Sequence, residues 1–208
     1  MKKLLTFVFA AGLSLSLFAA DIFTFVPVTG DVKTYTETQF SIASRFGTLY
    51  RTPSSKVTHS FDSKGKEISS SELSPKDAVI NTIASSYDEK GNVTEQVCTS
   101  ADGEIVWKNT FAYKNGLKVD SSEYDRKGNL KARVIYTYDN NLLVDESSYD
   151  GEGALIWKTI YKYEENGRLS SINEYNPDGT LSERDVYSYT DSGSIDSIEK
   201  TDADAAKE

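Results

Sequence analysis

Chemistry in this chain would have to start from very few specialised side chains. His59 is the only histidine and Cys98 the only cysteine, so serine–histidine and cysteine–histidine catalysis would both lean on one imidazole. His59 sits in Val57-Thr58-His59-Ser60-Phe61, an alternating pattern that reads as a strand. Cys98 lies between Glu95-Gln96-Val97 and Thr99-Ser100, with no cation at hand to activate a thiol. It reads as a small, half-buried strand residue, and a single cysteine provides no internal disulfide. No GxSxG, HExxH, CxxC or glycine-rich phosphate loop occurs. Carboxylates are plentiful enough for a glycosidase-type pair, but they fall mostly in turns, where capping explains them. Asp139-Asn-Asn141 and Asp150-Gly-Glu152-Gly miss the spacing of a defined calcium loop. The expectation is no enzyme, no metal and no cofactor.

The aromatic residues remain: 13 tyrosines, 9 phenylalanines and 2 tryptophans. Trp107 and Trp157, with Tyr113, Tyr138 and Tyr163, are the candidates for stacking against a sugar ring or a peptide. The competing role for the same residues is filling the interior of a sheet.

The elements that must hold them follow from the glycines. These fall at 65, 91, 103, 116, 128, 153, 167, 179 and 193, and Asp77 and Asn141 bisect the two double-length gaps. The resulting eleven turn points are 12 to 14 residues apart. Asp102-Gly103, Asn115-Gly116, Asn166-Gly167 and Asp178-Gly179 are strong hairpin signals. Asp88 to Gly91 and Asp125 to Gly128 have the form Asp-x-x-Gly, in which the aspartate caps the turn and glycine takes positive φ. Between turns the pattern alternates, with Leu130, Ala132, Val134, Tyr136 and Tyr138 on one face. No window has a helical period. The fold predicted is all-β, an antiparallel β-meander of repeated hairpins with about 25-residue repeats, solenoid-like or an extended twisted sheet.

In a meander of uniform register, Phe111, Tyr136, Tyr161 and Tyr187 form one row, and Tyr113, Tyr138, Tyr163 and Tyr189 a second. Tyr124, Tyr149 and Tyr175 are expected to fill the gaps between them. Tyrosine supplies apolar area in a chain poor in aliphatic residues, and its hydroxyl is expected to stay at water.

The ends carry a different message. Residues 1–20, MKKLLTFVFAAGLSLSLFAA, read as a secretory signal peptide ending in small residues before Asp21. Beyond Lys2 and Lys3, 21 basic residues face all 32 acidic ones, a net of −11. That balance argues against nucleic acid and against an anionic membrane surface. Residues 21–56 form a less regular β segment, with Pro27 and Pro53 at edge or loop positions. Residues 57–200 are the repeat domain, and 201–208 a disordered acidic tail with nothing to bury. No apolar stretch spans a membrane once the signal is removed, and exposed edge strands could pair with a second copy.

Tyr136-Thr-Tyr138-Asp139 and Tyr124-Asp-Arg-Lys-Gly128-Asn-Leu130 resemble the YD repeats of Rhs-type secreted bacterial proteins. Glu165-Asn-Gly167-Arg-Leu169 and Pro177-Asp-Gly179-Thr-Leu181 are similar to MORN-variant hairpin repeats of small exported bacterial proteins. The resemblance covers about residues 61–200. In Rhs proteins such repeats wind into a β-shell around a toxin. With about five units here, an enclosing shell is not expected. The resemblance implies an exported periplasmic or secreted scaffold that binds a protein partner or the cell envelope. The alternative is carbohydrate or cell-wall binding through the Tyr and Trp rows.

Overall fold

The computed structural model describes residues 31–202; the stretch read as a signal peptide, Pro27 and residues 203–208 lie outside them. Thirteen strands are hydrogen-bonded in chain order, β1 to β13, and the described residues contain no helix. The meander expected from the glycine spacing is what forms. The chain divides into two compact units, one up to Ser86 with Gln96–Val106, the other Tyr87–Glu95 with Trp107 onward.

The first unit holds β1 (Thr34–Arg45), β2 (Thr48–Phe61), β3 (Glu67–Leu73), β4 (Val79–Tyr87) up to Ser86, and the later part of β5 (Val93–Ser100). β1 and β2 make a long hairpin closed by Phe46 and Gly47, with φ of 51° and 77°. This turn was not among the eleven expected, because Phe46 gives no turn signal. Pro53 lies where β2 has only β1 beside it, since β3 begins pairing at Lys56. That is the edge position a residue without an N–H requires. Cys98 is 4% exposed, more deeply set than expected, and burial, then Glu72, pushes its thiol pKa up.

The second unit begins in β6 (Ile105–Lys114), taking it from Trp107. It continues through β7 (Leu117–Asp125), β8 (Leu130–Asp139), β9 (Leu142–Asp150) and β10 (Leu155–Tyr163). The last three strands are β11 (Leu169–Tyr175), β12 (Leu181–Tyr189) and β13 (Ile195–Asp202). β13 runs two residues into the stretch read as a tail, pairing Thr201 with Arg184 and Asp202 with Glu183.

Two kinds of turn join these strands. Phe46-Gly47, Asn115-Gly116 and Asn140-Asn141 are two-residue turns with both φ positive. The others are four-residue turns in which the last residue alone is left-handed and its N–H donates to the carbonyl three back. Asp102-Gly103, Asn166-Gly167 and Asp178-Gly179 belong to this second kind. Their bonds run from Gly103 to Ser100, Gly167 to Glu164 and Gly179 to Asn176. Of the four dipeptide signals, only Asn115-Gly116 forms the two-residue turn. Asp125 shows the capping expected of Asp-x-x-Gly: its Oδ1 accepts from the N–H of Lys127 (2.8 Å) and Asn129 (2.9 Å). Asp77 stands in for glycine, with φ of 64°.

Register is not uniform. The β6–β7 ladder slips by one residue at Tyr113, β7–β8 at Tyr124, β8–β9 at Tyr138, β10–β11 at Tyr163 and β12–β13 at Tyr189. Each slip is a bulge beside a strand-end tyrosine, and bulges strengthen local twist. Among the described residues no side chain is wholly buried, and Cys98 and Tyr136 are the only buried apolar residues. The sheet is therefore held by half-buried aromatic area and by hydrogen bonds rather than by an interior.

Candidate binding surface

Strand pairing places the second unit's side chains on two unlike faces. One carries a repeated ion pair between residues 13 apart: Glu95–Lys108 at 3.4 Å, Asp120–Arg133 at 2.6 Å and Asp145–Lys158 at 2.5 Å. Beneath the last two, Ser122 donates to Asp120 (3.0 Å) and Ser147 to Asp145 (2.7 Å), both serines being buried. In the next repeat Ser171 replaces the acid, and Asn173 donates to it at 3.3 Å. Such partly exposed pairs contribute about 0–1 kcal/mol each and leave little chemistry free. Tyr124, Tyr149 and Tyr175 lie on this face, opposite Lys108, Arg133 and Lys158. They do not fill the gaps between Phe111, Tyr136, Tyr161 and Tyr187, because they point the other way.

On the aromatic face those gaps are filled by charge. Glu146 is the cross-strand partner of both Tyr136 and Thr159, and Tyr161 donates its hydroxyl to Glu146 Oε2 at 3.1 Å. Lys118 places its Nζ 4.5 Å from the centroid of the Tyr136 ring. Both charges depart from the repeat. Two residues beyond successive turns the chain has Val93, Lys118, Leu143, Leu169 and Ile195; five residues beyond, it has Gln96, Ser121, Glu146, Ile172 and Ile198.

The electrostatics follow from that placement. Burial lowers the Lys118 pKa, against the pull of Glu146. Burial raises the Glu146 carboxyl, and the Tyr161 hydrogen bond and Lys118 only partly oppose it. Tyr136 and Tyr161 are pushed up by burial first and by Glu146 second. No ion pair within 4.0 Å joins Lys118 to Glu146 among the described residues. A half-buried ammonium and a half-buried carboxylate thus share a tyrosine-walled patch, each under-neutralised. A ligand could meet a cation, an acceptor and aromatic rings there at once. Farther along the face, burial and then Glu183 and Asp185 raise Glu174, while Lys200 spans Glu183 (3.2 Å) and Asp185 (2.9 Å). The other Asp185 oxygen is buried without a hydrogen-bond partner.

The sequence-derived stacking residues are spread out. Trp107 and Trp157 are half-buried on the aromatic face, paired with Asp125 and Ser148. They stand four strands apart, roughly 19 Å at the usual spacing, so no single ring touches both. Tyr113 lines a shallow cleft of about 330 Å³ with Asp88, Lys90, Asn92 and Asn115. Burial, then Asp88, raises its pKa. Tyr138 and Tyr163 act as latches: their hydroxyls donate to the carbonyls of Lys118 (2.9 Å) and Leu143 (2.8 Å), and Tyr189 does the same to Leu169 (2.7 Å). In each case the ladder has stopped two residues earlier, at Asp120, Asp145 and Ser171, so the hydroxyl replaces a missing strand bond. The expectation that tyrosine hydroxyls stay at water fails here, because the ladder ends short of a carbonyl that needs a donor.

In the first unit, His59 is buried, stacked on Tyr35 with ring centroids 4.5 Å apart and planes at 9°. Its Nδ1 lies 2.8 Å from Glu67 Oε1, and Tyr35 also stacks on Phe61. Asp150 caps its own turn, accepting from the N–H of Glu152 (2.9 Å) and Ala154 (2.8 Å). Sequence reading missed Lys118 and Glu146. Comparing the repeats position by position, rather than following the aromatic residues alone, exposes them.

No family model matches the chain, and no curated protein matches it. Among solved structures, the Tc holotoxin pore of Photorhabdus luminescens, with a TccC3 mutation, aligns at a TM-score of 0.51 and 21% identity. The alignment covers 74% of this chain and 8% of that one, so the likeness is one of fold alone. It is an all-β likeness, consistent with the YD/Rhs-type resemblance of the repeats. A porin-like protein from Bacteroides uniformis aligns at 0.35 and 14% identity over 85% of this chain and 57% of its own, too weakly to carry an argument.

Proposed function

We propose that this chain is an exported, non-enzymatic repeat scaffold whose tyrosine face binds a protein partner in the periplasm or at the cell surface. The observation that carries the reading is the Lys118–Glu146 pair. Partly burying two charges without bridging them costs stability, and apolar or neutral residues serve the same positions in other repeats. A partner that supplies a carboxylate to Lys118 and a donor to Glu146 would recover that cost, while Tyr136 and Tyr161 offer rigid, amphipathic contact area. The signal-like residues 1–20 support export, and the repeat architecture supports a scaffold.

The test is an envelope pull-down with the wild type and a Lys118→Leu, Glu146→Gln double variant, which should fold at least as well. A protein retained by the wild type and lost from the double variant supports the reading. Identical captures would sink it. The half-exposed indoles of Trp107 and Trp157 favour a second reading, an extended glycan gripped at two points. A glycan array showing no loss of signal on changing both tryptophans to alanine would end that alternative.

A further inference from the structure

The hairpin of β1 and β2 outgrows its own unit. β3 pairs with β2 only from Lys56 to Phe61, so residues 39–55 form a two-stranded arm. At about 3.3 Å per residue the arm is roughly 20 Å long. Every residue from 39 to 52 is exposed. Pairing puts Phe40 opposite Pro53, Ile42 opposite Arg51 and Ser44 opposite Leu49, which gathers an apolar stripe on one face. Ile42 is 70% and Leu49 72% exposed, and Phe46 at the tip is 106% exposed. An isolated two-stranded hairpin is marginally stable in water, and none of the described residues covers the apolar stripe of this one.

Phe46 is the least expected residue of the arm. It occupies the first left-handed position of a two-residue turn, where the corresponding turns of this chain have Asn115 and Asn140. A bulky side chain is an outlier in that conformation, whereas asparagine adopts it readily. Among the described residues, neither backbone geometry nor packing calls for phenylalanine here.

Charge separates the arm from the rest of the molecule. No acidic residue occurs from Thr38 to Phe61, a stretch that contains Arg45, Arg51 and Lys56, in a chain of net charge −9. Lys56 is taken up by Asp77, and Arg51 lies 3.6 Å over the Phe40 ring. Neither Arg45 nor Arg51 forms an ion pair among the described residues. The arm is about twice as long as the Debye length of about 8 Å, so acidic groups at its root are screened from its tip.

We propose that the arm is an anchor for an anionic lipid surface. Phe46, Leu49 and Ile42 enter the boundary between headgroups and acyl chains, and Arg45 and Arg51 meet the headgroup phosphates. A bilayer accepts an unpaired aromatic tip without a complementary pocket. Arm-to-arm pairing would instead bring the arginines of two copies together. The arm belongs to the first unit and the tyrosine face to the second, so neither reading depends on the other.

The test is co-sedimentation of the full chain with vesicles of equal parts phosphatidylglycerol and phosphatidylcholine, and with phosphatidylcholine alone. The wild type should sediment with the anionic vesicles and lose that binding as salt rises. Phe46→Asn should weaken it about tenfold, the order expected for withdrawing one phenyl ring from an apolar site, with no loss of thermal stability. Arg45→Gln with Arg51→Gln should weaken it about twenty-five-fold, about fivefold per charge. Absence of wild-type binding, or unchanged binding of Phe46→Asn, overturns the proposal. So does soluble poly-glutamate binding that Phe46→Asn weakens just as much, which points to an acidic protein. Lipid-free dimerisation abolished by Phe46→Asn overturns it too, by making a second copy the occupant.

Discussion

The β1–β2 and β8–β9 hairpins close on the same kind of two-residue turn, yet they solve opposite problems. In β8–β9, Asn140 and Asn141 take the left-handed positions, Tyr138 latches the carbonyl of Lys118, and Tyr136 lies buried between Lys118 and Glu146. In β1–β2, Phe46 takes the strained position, and among the described residues the strands run out to the tip without a latch, a third strand or cover. The repeat hairpin spends its aromatic residues on holding the sheet; the arm presents them to solvent. Single-layer sheets leave little else to separate structural from functional side chains, so how each aromatic residue is used becomes the guide.

Four kinds of substitution can break or sharpen this contrast. The largest effect belongs to Gly151→Ala in the β9–β10 turn, where an added Cβ would fall inside the van der Waals shell of the Leu130 carbonyl oxygen. A loss of about 1–3 kcal/mol in urea unfolding is expected, as for overpacking against an immovable backbone. Gly47→Ala, with open space around the added Cβ, should show no comparable steric loss beyond the strain of its φ.

Removing one latch comes next. Tyr138→Phe, Tyr163→Phe or Tyr189→Phe strands a carbonyl and should cost about 1–2 kcal/mol by thermal or urea unfolding. Tyr50→Phe in the exposed arm should stay within about 0.5 kcal/mol. Equal effects at Tyr50 and Tyr138 would erase the distinction.

Glu146→Gln tests the buried charge through pH. Its folded-state pKa is raised above the ordinary 4.5, so the folded chain binds a proton more readily than the unfolded one. The wild type therefore loses stability as pH climbs above the ordinary carboxylate range. Glu146→Gln should be the more stable protein at neutral pH, with its advantage fading as pH falls back into that range. The capping aspartates Asp62, Asp88, Asp125 and Asp178 have lowered pKa values, chiefly through their turn hydrogen bonds. Their contribution runs the opposite way and is lost as pH falls below their unfolded value of 3.8. The smallest effect is a gain: Phe46→Asn should stabilise the arm by about 0.5–1 kcal/mol, seen as slower hydrogen exchange around the turn.

Much of the fold was legible because its signals are local. Glycine, Asp77 and Asn141 mark where the chain must take positive φ, and alternation between them dictates strands. Phe46-Gly47 escaped because a lone glycine beside phenylalanine does not announce a hairpin. The two-residue and four-residue turns were indistinguishable by dipeptide, since Asp-Gly and Asn-Gly suit either, and the strand register around them decides. Net charge is blunt in a different way: averaging over the whole chain hides the acid-free run from Thr38 to Phe61.

By itself, the sequence determined the meander, its half-repeat and the alternation that separates the two faces, because these depend on φ preferences and a period of two residues. Tertiary structure decided which tyrosines face which way, which hydroxyls latch a carbonyl, and that Lys118 and Glu146 share one patch. Those outcomes hang on one-residue slips at the bulges. A slip changes which residues oppose each other across strands, and no single strand's sequence records its neighbour's register.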